Sequence, residues 1–204
     1  FKIAAEALAK QGAEEAISKL LTIHEQIVAT RNGAQRPFTV KENEVELAIV
    51  NTISSIIEAK LASSQKSAVV KVLSNIAETS DLLQDLRINM RALKGLGKTG
   101  DAAAVPTLIK GIAMKGKIQP IPLGQIAFAA LQQIDNRDAV ADAIIAFGTA
   151  KDASFNSFYK EELQNDPLMK NPLWVRQEAI NFLGEFNYPS AKVIAFVESE
   201  LNHK

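Results

Sequence analysis

The sequence predicts an all-α fold, an α-solenoid of about five antiparallel helix pairs that stack side by side. Apolar side chains recur at steps of three and four residues along most of the 204-residue chain, which is the spacing of one helix face. Turns that contain glycine, asparagine or proline separate these stretches, and the helix–turn–helix pattern returns at intervals near 40 residues. The alternative is a compact helical bundle, in which residues far apart in sequence would be in contact.

The clearest pair lies within residues 82–114. The first helix of this pair has an apolar face formed by Leu86, Met90, Leu93 and Leu96. We expect Gly95 and Gly97 to weaken the end of this helix and Gly100 to terminate it, because glycine accepts the backbone conformation of a helix C-terminus. Asp101 is expected to open the second helix, since its carboxylate accepts hydrogen bonds from unpaired amides.

The remaining pairs are predicted to occupy one domain, residues 1–204, and an insertion separates the last two pairs. The pairs lie at residues 1–31, 42–79, 122–149 and 172–202, and the insertion covers residues 151–171. A dipeptide of a small or polar residue and a large aliphatic one marks the first helix of four pairs. The successive separations are 40, 38 and 49 residues between Thr52-Ile53, Ala92-Leu93, Ala130-Leu131 and Ala179-Ile180.

Composition removes several classes of chemistry. The chain has no cysteine, which excludes disulfides, thiolate metal sites and cysteine nucleophiles, and which fits a cytosolic or an exported bacterial protein equally well. It has two histidines: His24 lies on an apolar helix face, and His203 is the penultimate residue of the sequence, so neither a zinc site nor a histidine-based triad is expected. No apolar run is long enough for a membrane span. We therefore predict no catalytic residue, no metal site and no cofactor.

The net charge of zero hides a basic middle of the chain. Residues 87–118 carry seven basic side chains against Asp101 alone. Four of the basic residues share one helix face, at steps of four, three and four: Arg87, Arg91, Lys94 and Lys98. This row is either a solvated outer face or a docking patch for an acidic protein or a phosphate-bearing ligand. Nucleic acid is disfavoured, because the row has no aromatic side chains for base stacking.

Two further groups of residues are candidates for partner binding. The insertion and its surroundings contribute Phe155, Phe158, Tyr159 and Trp174, which either pack over the gap between the last two pairs or form an exposed hydrophobic anchor. The second helices of the pairs are expected to line the concave side of the solenoid. The charged candidates there are Lys66, Lys71, Lys110 and Asp142.

The remaining titratable groups have structural interpretations. His24 lies on an apolar helix face, where a hydrogen-bonded structural histidine is expected. Two carboxylate clusters fall at predicted helix N-termini, where the helix dipole and capping favour them. The clusters are Glu42, Glu44 and Glu46, and Asp135, Asp138 and Asp142.

The third pair resembles the HEAT repeat. The run Arg91-Ala92-Leu93, followed by Leu96-Gly97 and by Asp101, is similar to the HEAT consensus, and Glu178-Ala179-Ile180 with Leu183-Gly184 echoes it. The resemblance, which extends over roughly residues 42–202, implies a HEAT/armadillo-like α-solenoid. It also implies a non-enzymatic scaffold or adaptor that binds a protein partner. The alternatives are a HEAT-like lyase or enzyme subunit, and a structural module of a larger exported or surface protein.

Overall fold

The computed structural model describes residues 13–34, 39–58, 63–79, 86–113, 123–149 and 172–202. These ranges contain nine α-helices and no β-strand, which confirms the all-α prediction for this part of the chain. The helices are α1 Ala13–Ala34, α2 Val40–Glu58, α3 Ser63–Thr79, α4 Leu86–Thr99, α5 Val105–Ala113, α6 Leu123–Leu131, α7 Arg137–Thr149, α8 Pro172–Phe186 and α9 Ala191–Leu201. A short 3₁₀ helix, Ala102–Ala104, precedes α5. None of the described helices is long and apolar enough to cross a membrane.

The helices pack as a stack of pairs. The first helices of the pairs are α2, α4, α6 and α8, and the second helices are α1, α3, α5, α7 and α9. First helices pack on first helices, α2 on α4 and α4 on α6, and second helices pack on second helices, α1 on α3, α5 on α7 and α7 on α9. Each of α3, α5 and α7 also packs on the first helix of the next pair. The principal contacts thus join neighbouring pairs, as in a helical-repeat stack.

Small residues set the spacing between successive pairs. A Cβ atom placed on Gly97 in α4 would lie 2.6 Å from the Cα atom of Ala130 in α6. A Cβ atom on Gly148 in α7 would lie 2.5 Å from the Cβ atom of Ala179 in α8. The expectation that Gly95 and Gly97 weaken the end of α4 was therefore wrong: both are buried inside a helix that continues to Thr99, and they allow close helix–helix approach.

The turn after α4 follows the prediction. Gly100 has a φ of 67°, the left-handed conformation that favours glycine at a helix C-terminus. The Asp101 side chain accepts a hydrogen bond from the Ala103 amide and caps the 3₁₀ helix that leads into α5. The Gly100 carbonyl accepts a hydrogen bond from the Asp135 amide at 3.1 Å, which ties this turn to the turn of the following pair.

The close approach of α4 and α6 predicts opposite effects for two glycine-to-alanine substitutions. Gly97→Ala is expected to lower the free energy of unfolding by about 1–3 kcal/mol, because the new methyl group meets the Ala130 backbone. Gly184→Ala is expected to be neutral or to stabilise by up to about 1 kcal/mol, because nothing lies within 4 Å of the added Cβ atom and alanine favours the helix. Urea unfolding of both variants measures the difference, and equal effects would contradict this account.

The last helix buries a narrow face. α9 packs on α7 and α8 and buries Val193 and Phe196, whereas Ile194 is 48% exposed. At the other end of the described chain, the first pair was predicted to end at residue 31, yet α1 continues to Ala34.

Candidate functional site

The predicted basic row lies on the exposed side of α4. The structure brings Arg87, Arg91, Lys94 and Lys98 together along this helix, and all four are exposed to solvent. The Arg91 guanidinium donates a hydrogen bond to the side chain of Asn51 on α2, the first helix of the preceding pair. The row therefore begins near the α2–α4 contact and continues along α4 towards the Gly100 turn.

A groove runs between α4 and α6, next to this row. Its volume is about 310 Å³. Lys94 and Lys98 line one side, and the remaining lining residues come from α6 and the turn that follows it: Gln125, Ile126, Ala129, Ala130 and Gln133. The lining contains no aromatic side chain. We call this the basic groove, because its two charged groups are both lysines and its floor is aliphatic.

A second groove runs between α6 and α8, with a volume of about 890 Å³. Its charged lining residues are Glu178 and Glu185, both on α8, and we call it the acidic groove. Phe128, Ile180 and Phe182 also line this groove, and the Phe128 and Phe182 ring centroids are 4.6 Å apart. The two glutamates were not among the residues predicted to bind a partner, since they line a groove with residues of α6 only when the pairs stack.

The charged residues of the second helices pair with one another across successive repeats. Lys71 on α3 lies 3.8 Å from Glu25 on α1, and Lys110 on α5 lies 2.9 Å from Glu78 on α3. The Thr107 hydroxyl also donates to Glu78, at 2.9 Å. Lys110, a predicted partner-binding residue of the second helices, thus lies in an ion pair.

The same kind of pair joins α7 and α9. The Lys192 ammonium donates to both oxygens of Asp142 at 2.9 Å, and this hydrogen bond raises the pKa of the lysine above its usual range. Of the second-helix residues considered from sequence, Lys71, Lys110 and Asp142 therefore have an ion-pair partner on a neighbouring repeat.

The aromatic candidates are placed less fully. Phe155, Phe158 and Tyr159 lie outside the described residues. The backbone of Trp174 belongs to the first turn of α8. The proposal that these four residues anchor a partner stays a prediction.

A buried polar pair joins α1 to α2. His24 and Glu46 are 1% and 0% exposed, and the His24 Nδ1 atom lies 2.7 Å from the Glu46 Oε1 atom. The other oxygen, Oε2 of Glu46, is buried without a hydrogen-bond partner. His24 is thus the hydrogen-bonded structural histidine that was expected.

Of the acidic cluster in α2, Glu42 has the expected role and Glu46 does not. Glu42 caps α2, since its carboxylate accepts from the Thr39 amide at 2.7 Å. The capping interpretation of Glu46 was wrong. Its spacing from Ile49, Val50 and Ile53 on the apolar side of α2 is the sequence signal that could have indicated burial.

No cluster of three or more histidine or carboxylate side chains that could hold a metal ion occurs among the residues that the structure describes. In the aspartate cluster, Asp138 lies in the first turn of α7 and hydrogen-bonds to Tyr188, which raises the pKa of that phenol. Asp142 is the partner of Lys192. These contacts assign structural partners to two of the three aspartates.

A comparison with known families identifies the central pair. The family model described as PBS lyase HEAT-like repeat matches residues 89–113. Residues 89–113 are similar to a HEAT-like repeat. The match covers most of α4, the Gly100 turn and all of α5, and it includes the Arg91-Ala92-Leu93 run from which the resemblance was predicted. No curated protein and no solved structure matches the chain at a significant level. The matched residues include Arg91, Lys94 and Lys98 of the basic row.

Proposed function

We propose that this helical-repeat chain is a non-enzymatic protein-binding module that binds an acidic segment of another protein in the basic groove. The observation that carries the proposal is the position of Lys94 and Lys98, two exposed lysines beside an aliphatic floor. Lysines attract and orient an acidic segment, and the floor formed by Ile126, Ala129 and Ala130 adds apolar burial. A surface that combines the two favours a protein segment over a small anion.

Two features of the basic groove support an acidic protein partner. Both of its charged lining residues are lysines, and they lie on the same helix. The basic groove also lacks the aromatic side chains on which single-stranded nucleic acid stacks. An acidic protein segment is the partner that fits both features.

Charge reversal in the basic groove tests this function. The double variant Lys94→Glu/Lys98→Glu is expected to lose the proteins that the native chain captures from its source, because attraction becomes repulsion. Its melting temperature is expected to change little, since both residues are exposed. Affinity capture followed by protein identification measures the loss.

The matched control is Lys19→Glu/Lys41→Glu, which makes the same change in net charge at exposed positions of α1 and α2. This control is expected to retain the captured proteins. An unchanged set of captured proteins for Lys94→Glu/Lys98→Glu would refute binding in the basic groove.

The second candidate function is that of a lyase or a lyase subunit, which the matching family, PBS lyase HEAT-like repeat, favours. Visible absorbance of a bound tetrapyrrole in the purified protein would support this candidate. A protein that stays colourless after incubation with bilin would support the binding module.

A further inference from the structure

The basic and acidic grooves lie on the two sides of α6, and we call the surface that joins them across this helix the path. Both grooves are lined by Gln125 and Ala129 of α6, so they meet at these two side chains. Ala129 is exposed, and its side chain is a single methyl group. A bound segment can therefore cross α6 at Ala129 without meeting a bulky side chain.

Charge changes sign along this path. Lys94 and Lys98 line its α4 end, and Glu178 and Glu185 line its α8 end. Between them the path is aliphatic in the basic groove and partly aromatic in the acidic groove, where Phe128 and Phe182 stack. A ligand with acidic groups at both ends would be attracted at α4 and repelled at α8.

From these observations we infer that the partner's bound segment is bipolar, with acidic residues over α4, apolar residues over α6 and basic residues over α8. This inference rests on the proposed function and adds the order of charges in the partner. α4 packs on α6, and packed helices lie about 8–10 Å apart. An extended chain rises about 3.3 Å per residue, so about three residues span the step from α4 to α6.

A second copy of this chain is the other occupant that the charge pattern could accept. A surface that is basic at one end and acidic at the other is complementary to itself under a two-fold rotation. We favour a separate partner segment because the path consists of grooves. A narrow segment fits into a groove more readily than the broad helix face of a second copy does.

Three labelled peptides test the inference. The bipolar probe contains three glutamates, the stretch Leu-Leu-Ala-Leu and three lysines, and carries fluorescein. The scrambled probe has the same composition with glutamates and lysines interleaved at both ends, and the acidic probe has glutamates in place of the lysines. Fluorescence anisotropy with the full chain is expected to show roughly tenfold tighter binding of the bipolar probe than of either other probe.

Three variants locate the binding. Glu185→Lys, at an exposed position of α8, is expected to weaken the bipolar probe about tenfold and to strengthen the acidic probe. Glu178→Gln is expected to weaken the bipolar probe in the same direction, without reversing a charge. Ala129→Trp is expected to abolish binding of the bipolar probe, since the indole fills the crossing point, while the circular dichroism spectrum stays unchanged.

The outcomes separate this inference from the proposed function. Equal affinity for the acidic and bipolar probes, with no effect of Glu185→Lys, would overturn the bipolar segment and leave the basic groove as the binding site. Absence of binding by all three probes, with unchanged capture by Lys94→Glu/Lys98→Glu, would overturn both. Dimerisation that is lost in Ala129→Trp, measured by analytical ultracentrifugation, would overturn the partner segment in favour of a second copy.

Discussion

Replacing His24 with leucine is expected to lower the free energy of unfolding by about 3–5 kcal/mol, the largest effect that we predict for one side chain. The imidazole Nδ1 atom lies 2.7 Å from the Oε1 atom of Glu46, and both side chains are buried. Removing the imidazole takes away the hydrogen-bond partner of Oε1, and Oε2 already lacks a partner. Both oxygens of a buried carboxyl group are then unsatisfied. Chemical denaturation monitored by circular dichroism measures the loss.

The double variant His24→Leu/Glu46→Met separates the pair from the packing around it. A buried polar pair replaced by apolar side chains of similar volume is often neutral, so we expect the double variant to recover most of the stability lost by His24→Leu. The neighbouring substitution Glu25→Ala serves as a control, since it removes an exposed ion pair and is expected to cost less than about 1 kcal/mol. A double variant as unstable as the sum of its single variants would contradict this view of the pair.

Replacing Leu93 with alanine is expected to lower the free energy of unfolding by about 2–5 kcal/mol. Leu93 is 2% exposed, and its Cδ2 atom would lie 3.1 Å from a Cβ atom on Gly111, so it packs directly on α5. Truncation to alanine leaves a cavity inside the HEAT-like repeat, where the close packing of Gly97 on Ala130 resists collapse.

The control for Leu93→Ala is Ile194→Ala. Both substitutions remove aliphatic carbons from a helix, but Ile194 is 48% exposed, and we expect a change of less than about 1 kcal/mol. A change within about 0.5 kcal/mol for Leu93→Ala would show that this side chain does not belong to the core.

Local sequence predicted the parts of the fold that depend on neighbours along the chain. The step of three between Leu93 and Leu96 predicted the buried side of α4, and both residues are in the core. Gly100 and Asp101 predicted a turn because one permits a left-handed backbone and the other caps the next helix. The resemblance of this pair to the HEAT consensus was confirmed by the family match over residues 89–113.

Features that depend on contacts between repeats were not predictable in this way. The sequence alone does not show that Gly97 meets Ala130, and a glycine near a helix end is equally typical of a terminator. Glu46 falls within an acidic cluster, and burial against His24 arises only when α1 packs on α2. The path across α6 combines lysines from one repeat with glutamates from another, so its change of sign exists only after stacking.

The contacts of Gly97 with Ala130 and of Gly148 with Ala179 have a consequence for how the chain unfolds. Each contact joins one helix pair to the next. A single excised pair would therefore lose the neighbouring helix against which it packs most closely. The smallest cooperative unit is then larger than one repeat. Amide protons of α4 to α6 should exchange with solvent together rather than helix by helix.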